Sequence, residues 1–274
     1  MPVRLSVTVV TYLPDPARLG LALATLADAV SAARSSARLA DCVLYLVDNG
    51  PPGALGEIRR VLSEWPPEAG RSELLAGHGN LGYGRANNLV LPRLDSDFHL
   101  VMNPDVEVDR GALDAALAAM AGHPDVGLLA PAVFGEDGER QYLCKRYPSA
   151  WVLFLRGFAP AFLRRRFKRA LDDYEMRDAI GERFLAGVPM ASGCFMLLRT
   201  ALFRRLGGFD ERYFMYFEDF DLSVRVAREA AIAYLPGARI VHHGGEAAGK
   251  GPRHVGWFLR SAWRFFSTHG WKLA

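Results

Sequence analysis

The chain has 274 residues, half of them hydrophobic, and a formal net charge of +3. This composition supports a large buried core and excludes a mainly disordered chain. The net charge is too small to favour nucleic acid as the main partner.

Strands and helices alternate in the first half of the chain. The predicted strands are Leu5–Thr11, Cys42–Val47, Ser72–Ala76 and Phe98–Met102. The predicted helices are Ala17–Arg38, Leu55–Trp65, Ala86–Leu94 and Ala112–Met120. The first two strands are continuously apolar, as expected of strands buried on both faces of a parallel sheet. The alternation predicts an α/β fold with a Rossmann-like, mostly parallel sheet and helices on both faces.

The alternation weakens in the second half, which is predicted to be more irregular. Its candidate elements are the strands Val126–Val133, Cys194–Leu198, Ile232–Tyr234 and Ile240–Val241 and the helix Asp219–Glu229. No internal repeat or low-complexity linker divides the chain. We therefore predict one α/β domain.

The three cysteines, Cys42, Cys144 and Cys194, have neither a paired spacing nor a zinc-ligand spacing. A reducing compartment without disulfides is therefore expected. The sequence has no signal-peptide layout and no run of about eighteen apolar residues. We expect a cytoplasmic protein, with peripheral contact to a membrane left open.

Polar residues end the predicted strands, where ligands collect in open α/β sheets. Asn103 and Asp105 follow Phe98–Met102 and lie two positions apart. Side chains two apart in an extended chain point the same way, so both could face one divalent cation that also binds phosphates. A simple Asn-Pro-Asp turn is the alternative, and local sequence alone favours it.

A glycine-rich loop at Ala76–Asn88 contains the pattern G-x-G-x-x-G. It argues only weakly for a dinucleotide site, because two strand–helix units precede it and Gly84 extends the loop before any helix. Its polar side chains, Asn80, Arg85 and Asn87 among them, suit a ribose or a diphosphate better.

The segment Gly207–Arg225 sets Glu218, Asp219 and Asp221 among six aromatic residues. Burying carboxylates costs several kcal/mol unless they are paired, bound to metal or shifted in pKa, as a general base is. An ordinary helix N-terminus, with Asp221 and Arg225 paired at i,i+4, accounts for the segment equally well when taken alone.

Two further features remain open on local sequence. His242-His243-Gly244-Gly245 offers imidazole metal ligands, although solvated loop histidines are commoner. Trp151–Leu171 mixes aromatic with basic residues, which fits a membrane interface or an ordinary pair of amphipathic helices. Trp257–Trp271 has a similar character, and there core packing is favoured.

In this order and spacing, the motifs resemble the family 2 glycosyltransferases of the GT-A fold, especially the bacterial rhamnosyltransferase-like branch. The resemblance runs from about Leu5 to Gly270. It rests on VTVVTY after Ser6, VDNG at Val47–Gly50, NLGYGRANN at Asn80–Asn88, NPDV at Asn103–Val106, SGCFMLLR at Ser192–Arg199, and Gly207–Arg225.

The resemblance implies a role for each motif. Asp105, in the place of the second Asp of a DxD motif, would hold Mg²⁺ or Mn²⁺, and His242 would complete the metal shell. Asp219 would be the catalytic base, preferred over Asp221, and Glu218 would orient nearby groups. The implied donor-binding residues are Thr11, Asp48, Asn80, Gly82, Arg85, Asn87 and Asn103, with Asp48 on the pyrimidine base. The implied acceptor-side residues are Asp221, Ser192 and Gly193.

The implied activity is inverting transfer of a sugar, with L-rhamnose from dTDP-rhamnose as the leading donor. The acceptor would be a saccharide or polyprenyl-linked saccharide at the inner face of the cytoplasmic membrane, in the synthesis of bacterial cell-surface polysaccharide. Residues 1–110 would form the nucleotide-sugar half of a domain over 1–245, residues 111–245 the acceptor half, and residues 246–274 an amphipathic tail.

Two alternatives differ in class. A nucleotidyltransferase should carry a glycine-rich basic loop directly after its first strand, where this chain has Thr11–Asp15. A non-catalytic nucleotide-sugar-binding module would have no need to keep the acidic and histidine residues of both implied sites. The sequence therefore favours the transferase.

Overall fold

A ten-stranded sheet runs through the protein, whose computed structural model describes residues 1–244 and 251–273. Its strands are β1 Val3–Thr11, β2 Leu39–Asp48, β3 Arg71–Leu75, β4 Phe98–Met102, β5 Val106–Val108, β6 Val126–Phe134, β7 Arg140–Gln141, β9 Leu185–Ala186, β11 Phe195–Arg199 and β12 Ala231–His242. A second sheet pairs β8 Cys144–Lys145 with β10 Met190–Ala191.

Ten α-helices are found within the described residues. They are α1 Pro16–Ser35, α2 Leu55–Ser63, α3 Tyr83–Asn88, α4 Ala112–Gly122, α5 Ala150–Gly157, α6 Ala161–Arg166, α7 Lys168–Tyr174, α8 Thr200–Arg205, α9 Glu218–Val226 and α10 Pro252–His269. None of the helices in residues 1–244 and 251–273 combines the length and apolar character needed to span a bilayer.

The large sheet has the order β3-β2-β1-β4-β11-β6-β12-β5. Strands β1 to β4 are mutually parallel, β12 is parallel to β6, and β11 runs antiparallel to both of its neighbours. The register pairs Thr11 with Asp48, so β1 and β2 end side by side. The predicted Rossmann-like, mostly parallel sheet is confirmed.

Helices cover both faces of this sheet, as predicted. One hydrophobic core joins the sheet to α1, α2 and α4, and the other joins it to α3, α8 and α9. At the start of α1, the Asp15 side chain accepts hydrogen bonds from the amides of Ala17 and Arg18. This cap satisfies donors that a helix N-terminus leaves without partners.

Three predicted elements differ from the structure. The separate strands Ile232–Tyr234 and Ile240–Val241 are parts of the single strand β12, whose register shifts between Leu235 and Arg239. Pro236 and Gly237 lie at this irregularity, and both residues disfavour regular pairing. The predicted helix Ala86–Leu94 ends early, because α3 stops at Asn88 and a short 3-10 turn around Pro92 follows.

The second half adds a third, smaller core outside the large sheet. It packs Phe265 and Phe266 of α10 against Leu153 of α5 and Phe217. The Trp151–Leu171 segment lies within the three short helices α5 to α7. Residues 245–250 and 274 lie outside the described residues, so the predicted boundary between domain and tail stays a prediction.

Arg199, the last residue of SGCFMLLR, ties β11 to the end of α4. Its guanidinium donates to the carbonyls of Met120 at 2.7 Å, His123 at 3.0 Å and Val126 at 2.8 Å. We expect Arg199→Met to lower the free energy of unfolding by about 2–3 kcal/mol, because three carbonyls lose a charged donor. Urea denaturation measures this.

The matched control is Arg205→Met, which removes an exposed ion pair with Glu229. Exposed pairs contribute about 0–1 kcal/mol. Equal unfolding free energies for the two variants would contradict the proposed anchoring by Arg199.

Candidate active site

The short segment Ser192–Cys194 lies between the end of β4 and the start of α9. The Asn103 amide donates to the Cys194 carbonyl at 2.9 Å, and the Gly193 amide donates to Asp219 Oδ2 at 2.8 Å. The Tyr83 hydroxyl donates to the Gly193 carbonyl at 2.8 Å. This segment therefore links the predicted metal-binding strand end, the predicted base and the glycine-rich loop.

Backbone strain precedes the two acidic residues. Tyr216 has φ 69° and Phe217 has φ 67°, both in the left-handed region. This conformation costs roughly 1–2 kcal/mol per residue. Phe217 is buried against Phe258 and Phe265 of α10, so packing of the C-terminal helix holds the strained turn that begins α9.

Asp219 lines a cavity of about 290 Å³. Its Oδ2 accepts from Gly193 and its Oδ1 accepts from the Phe220 amide at 2.9 Å, so both carboxylate oxygens are oriented. The carboxylate is closely surrounded by protein yet keeps access to the cavity. Burial raises its pKa, which makes Asp219 a stronger base than an exposed aspartate.

Glu218 lines the same cavity and is more deeply buried. Burial, with a contribution from the charge of Asp219, raises the pKa of its carboxyl group. Its Oε2 has no hydrogen-bond partner within the described residues. The environment therefore favours the protonated form of Glu218, whereas the two backbone amides that donate to Asp219 favour the ionised form of its carboxylate.

Asp105 and His242 come together where the end of β12 pairs with β5. The antiparallel pairing of β12 with β5 sets His242 opposite Val106, and His242 Nε2 lies 3.7 Å from Asp105 Oδ1. That oxygen is buried and has no hydrogen-bond partner in the described part of the chain. Two ligands of one Mg²⁺, each at about 2.1 Å, lie within about 4.2 Å of each other.

Neighbouring residues support this pair. His242 Nδ1 lies 3.3 Å from Gln141 Oε1, a contact that orients the ring. A Cβ on Gly244 would lie 2.4 Å from His242 Nε2, so glycine keeps the space open. The residues fit a hard divalent cation. No group of three or more candidate ligands occurs in residues 1–244 and 251–273, so phosphate and water would complete the shell.

Two of the predicted donor-binding residues meet where β1 and β2 end. The Thr11 hydroxyl donates to Asp48 Oδ1 at 3.0 Å, and the Gly50 amide donates to the same oxygen at 3.0 Å. Asp48 is buried and its carboxylate is fixed. A fixed acceptor at this edge suits the imide N–H of a pyrimidine.

The glycine-rich loop packs against the Gly207–Arg225 segment. Gly82 has φ 84°, and a Cβ there would lie 2.2 Å from the Phe214 carbonyl oxygen, which accepts from the Tyr83 amide at 3.0 Å. Asn80 Oδ1 in turn accepts from the Gly82 amide at 3.0 Å. Only glycine permits both the conformation and the approach.

Three polar residues of helix α3, which follows the loop, differ in their contacts. Asn87 donates to the Tyr83 carbonyl, while its Oδ1 is buried with no partner in the described residues. Arg85 is exposed and pairs with Glu211. Asn88 bonds both the amide and the carbonyl of Phe209, a structural role that sequence reasoning missed.

The structure does not bring Asp221 to the cavity. Its carboxylate lies 2.7 Å from Arg225 Nε and 2.7 Å from His269 Nε2. The expected i,i+4 pair is therefore present, and an acceptor-side role for Asp221 gains no support from this geometry. Ser192 does line the cavity.

Lys145, Arg156 and Tyr174 were not assigned to the site from sequence. They line the cavity together with Glu218 and Asp219. Lys145 lies in the two-residue strand β8, which carries no periodicity, and only the basic character of Arg156 gave a signal. Their convergence depends on the pairing of β8 with β10.

A family model described as glycosyl transferase family 2 matches residues 6–207. The chain belongs to glycosyltransferase family 2. The matched range of this glycosyltransferase includes Asp105 and Ser192–Cys194 and ends before Glu218. Membership of this family excludes the alternative interpretation of the chain as a nucleotidyltransferase.

Two relatives are similar in sequence. An N-acetylglucosaminyl-diphospho-decaprenol L-rhamnosyltransferase of Mycobacterium tuberculosis is 31% identical over 282 residues, covering 97% of this chain and 86% of the relative. The rhamnosyltransferase WbbL of Escherichia coli K12 is 40% identical over 57 residues, covering 20% of this chain and 22% of the relative. The predicted resemblance to the rhamnosyltransferase-like branch is confirmed.

Solved structures share the fold. A Pyrobaculum calidifontis mannosyltransferase in complex with GDP-Man and Mn²⁺ gives a TM-score of 0.58 at 16% identity, covering 90% of this chain and 58% of that chain. GalNAc-T7 with UDP, GalNAc and Mn²⁺ gives 0.62 at 14% identity, covering 97% and 48%. The predicted GT-A fold is confirmed.

The raised pKa of Glu218 predicts a pH-dependent cost in stability. The folded state keeps a proton that the unfolded state releases, so wild-type stability falls as pH rises from the ordinary glutamate pKa towards the raised one. Glu218→Gln removes this titration. We expect the free energy of unfolding of Glu218→Gln, relative to that of wild type, to increase between about pH 5 and about pH 8. The increase should be about 1.4 kcal/mol for each pH unit by which burial raises the pKa of Glu218.

Urea unfolding at several pH values measures the difference. Glu57→Gln, on the exposed face of α2, is the control and should give a constant difference. A constant difference for Glu218→Gln as well would show that Glu218 titrates normally.

Proposed function

We propose that this protein is an inverting, metal-dependent glycosyltransferase that moves L-rhamnose from dTDP-rhamnose onto a lipid-linked saccharide. The observation that carries the proposal is that Asp219 and Asn103, two residues before Asp105, are both hydrogen-bonded to the Ser192–Cys194 segment, with His242 beside Asp105. An inverting displacement needs a base on one side of the sugar and an anion-binding group on the other.

In the proposed reaction, an acceptor hydroxyl in the cavity donates a hydrogen bond to the Asp219 carboxylate. Its oxygen forms a bond to the anomeric carbon as the bond to the nucleoside diphosphate breaks, and the electron pair of that bond leaves with the diphosphate. The hydroxyl proton passes to Asp219. A divalent cation held by Asp105 and His242 would offset the charge of the leaving group.

The other donor residues would bind the nucleotide. Asp48, held by Thr11, would accept from the pyrimidine base. The pocket for the sugar and the diphosphate would be lined by Asn80, Gly82, Arg85 and Asn87. Asn103 stands where a DxD motif has its first Asp, so the cation would have one negative protein ligand fewer. The choice of rhamnose and of a diphosphate-linked acceptor rests on the name of the mycobacterial relative.

We also propose that the protein works on the cytoplasmic side of the membrane, in peripheral contact with its inner face. Phe154, Phe158 and Phe162 of the α5–α6 region are exposed. Beside them lie the basic residues Arg164, Arg165, Arg166, Lys168 and Arg169. Exposed aromatic residues next to basic ones suit an anionic lipid surface, which attracts each cation by about 1 kcal/mol.

Two aspartate variants separate catalysis from donor binding. We expect Asp219→Asn to reduce transfer about 10²–10⁴-fold, the usual effect of losing a general base, and to keep Mn²⁺-dependent binding of dTDP-rhamnose. Asp105→Asn should lose that Mn²⁺ dependence. Thermal shift with a panel of nucleotide sugars measures binding, and product formation from dTDP-rhamnose measures transfer.

Each variant is the control for the other. Wild-type activity in Asp219→Asn would contradict the base assignment, and Mn²⁺-dependent binding in Asp105→Asn would contradict the metal site. A wild-type protein that binds the donor but transfers nothing to any lipid-linked acceptor would support the non-catalytic binding module instead.

Membrane contact predicts co-sedimentation with vesicles. Wild-type protein should sediment with anionic phosphatidylglycerol vesicles more than with phosphatidylcholine vesicles, and Phe158→Ser with Phe162→Ser should weaken binding more than about tenfold, because both aromatic contacts are lost. The control is Leu21→Ser, an exposed leucine on α1. Equal sedimentation with and without vesicles would exclude the contact.

A further inference from the structure

We infer that Lys145, Arg156 and Tyr174 form a subsite for the diphosphate of the acceptor, next to the catalytic base. The inference rests on the proposed function, since it assigns the class of acceptor that the cavity accepts. It predicts that this enzyme discriminates a diphosphate-linked saccharide from a plain glycoside at a place separate from the donor site.

The three side chains converge in the cavity that Asp219 lines. Lys145 Nζ lies 5.4 Å from the centre of the Tyr174 ring, and the Arg156 guanidinium carbon lies 5.7 Å from the same centre. Two cations and a tyrosine therefore line one cavity, with both cations close to the tyrosine ring. An ammonium, a planar guanidinium and a hydroxyl are the donors that proteins commonly present to phosphate oxygens.

The donors of this cluster are incompletely satisfied in the described structure. Lys145 is 3% exposed, yet its ammonium makes no hydrogen bond of standard geometry within the described residues, and neither does the buried Tyr174 hydroxyl. Burying polar groups in this way costs free energy unless a partner arrives. Burial, followed by the charge of Arg156, lowers the pKa of Lys145 to about 7, and a bound anion would reverse this effect.

A single carboxylate serves the cations of this cluster. Glu175 Oε1 lies 3.4 Å from Lys145 and 3.9 Å from Arg156, while Glu175 Oε2 lies 2.7 Å from Arg177. Arg177 is also paired with Asp172 Oδ1 at 3.3 Å. Lys145 and Arg156 therefore share a single carboxylate oxygen, and this pair of cations can still accept an anion.

The surroundings lead from this cluster towards the proposed membrane surface. Arg156 also lines a neighbouring cavity of about 330 Å³. The charged residues of that cavity are Arg156, Arg164, Arg165, Lys168, Arg177, Asp172 and Glu175. Phe158 and Phe162 are exposed in the same α5–α6 region. A diphosphate on a lipid at the membrane would thus meet positive charge along its approach to Asp219.

The donor diphosphate is the other source of the same chemistry. The predicted metal pair Asp105 and His242 is absent from the described lining of the cavity, and so are Thr11, Asp48 and Asn80. Lys145 pairs with Met190 of β10, and β10 directly precedes Ser192. The cluster therefore lies on the acceptor side of the Ser192–Cys194 segment.

The test is titration calorimetry with inorganic pyrophosphate in the presence of EDTA, so that no metal can recruit the anion. Wild-type protein should bind, and Lys145→Met and Arg156→Gln should each bind at least about tenfold more weakly, as expected when an anion loses a charged donor. Tyr174→Phe should show a smaller loss. The control Arg60→Gln removes an exposed charge on α2 and should bind as wild type does.

Binding of dTDP with Mn²⁺ provides the second arm, and urea unfolding shows separately that each variant is folded. The variants should keep this binding, and with N-acetylglucosaminyl-diphospho-farnesol they should raise the acceptor KM while leaving the donor KM unchanged. An equal loss of dTDP binding in folded variants would assign the cluster to the donor and overturn the inference.

Absence of pyrophosphate binding to wild type, or equal binding by all variants, would also overturn it. If Lys145→Met does not fold, Arg156→Gln and Tyr174→Phe decide. The proposed function fails separately: pyrophosphate binding that persists in a protein without donor binding or transfer would overturn that function and leave an anion site.

Discussion

The approach of Gly193 to Asp219 is the constraint on which the rest of the site depends. The hydrogen bond between them is 2.8 Å long, and a Cβ on Gly193 would lie 3.2 Å from the Asp219 Cβ. The carbonyl of the next residue, Cys194, accepts from the Asn103 amide, so the proposed base and the proposed metal-binding strand end share one short stretch of backbone. A displacement of this stretch would therefore shift the proposed base and the proposed metal-binding residues relative to each other.

Keeping two acidic side chains buried at the start of α9 costs stability, and the structure offsets that cost locally. Asp219 receives two backbone donors, whereas Glu218 is placed where its protonated form is favoured. The left-handed turn at Tyr216 and Phe217 adds strain that packing against α10 must balance. The C-terminal helix thus contributes to the candidate active site by packing on this turn.

The two sides of the site are built differently. On the proposed donor side, Asp48 ends β2, and Asn103 and Asp105 follow β4, a central strand of the large sheet, so strand pairing fixes their positions. On the acceptor side, Lys145 and Tyr174 lie on a two-residue strand and a short helix, both outside the large sheet. A regular donor side suits a common nucleotide, and an irregular acceptor side suits an acceptor that differs between enzymes of one fold.

The sequence by itself determined the parallel strands, because short continuous apolar runs that end in polar residues are typical of strands buried in a parallel sheet. It also determined the strand-end positions of Asp48, Asn103 and Asp105 and, through the order of motifs, the family. The resemblance preferred Asp219 over Asp221, but only the tertiary structure shows that Asp219 lines the cavity while Asp221 pairs with Arg225 and His269. Residues two apart on a helix point about 200° apart, and packing chooses the face. Likewise only pairing distant in sequence sets His242 beside Asp105 and brings Lys145 beside Asp219. Such contacts depend on how remote elements pack, and local patterns of hydrophobicity and charge do not record that packing.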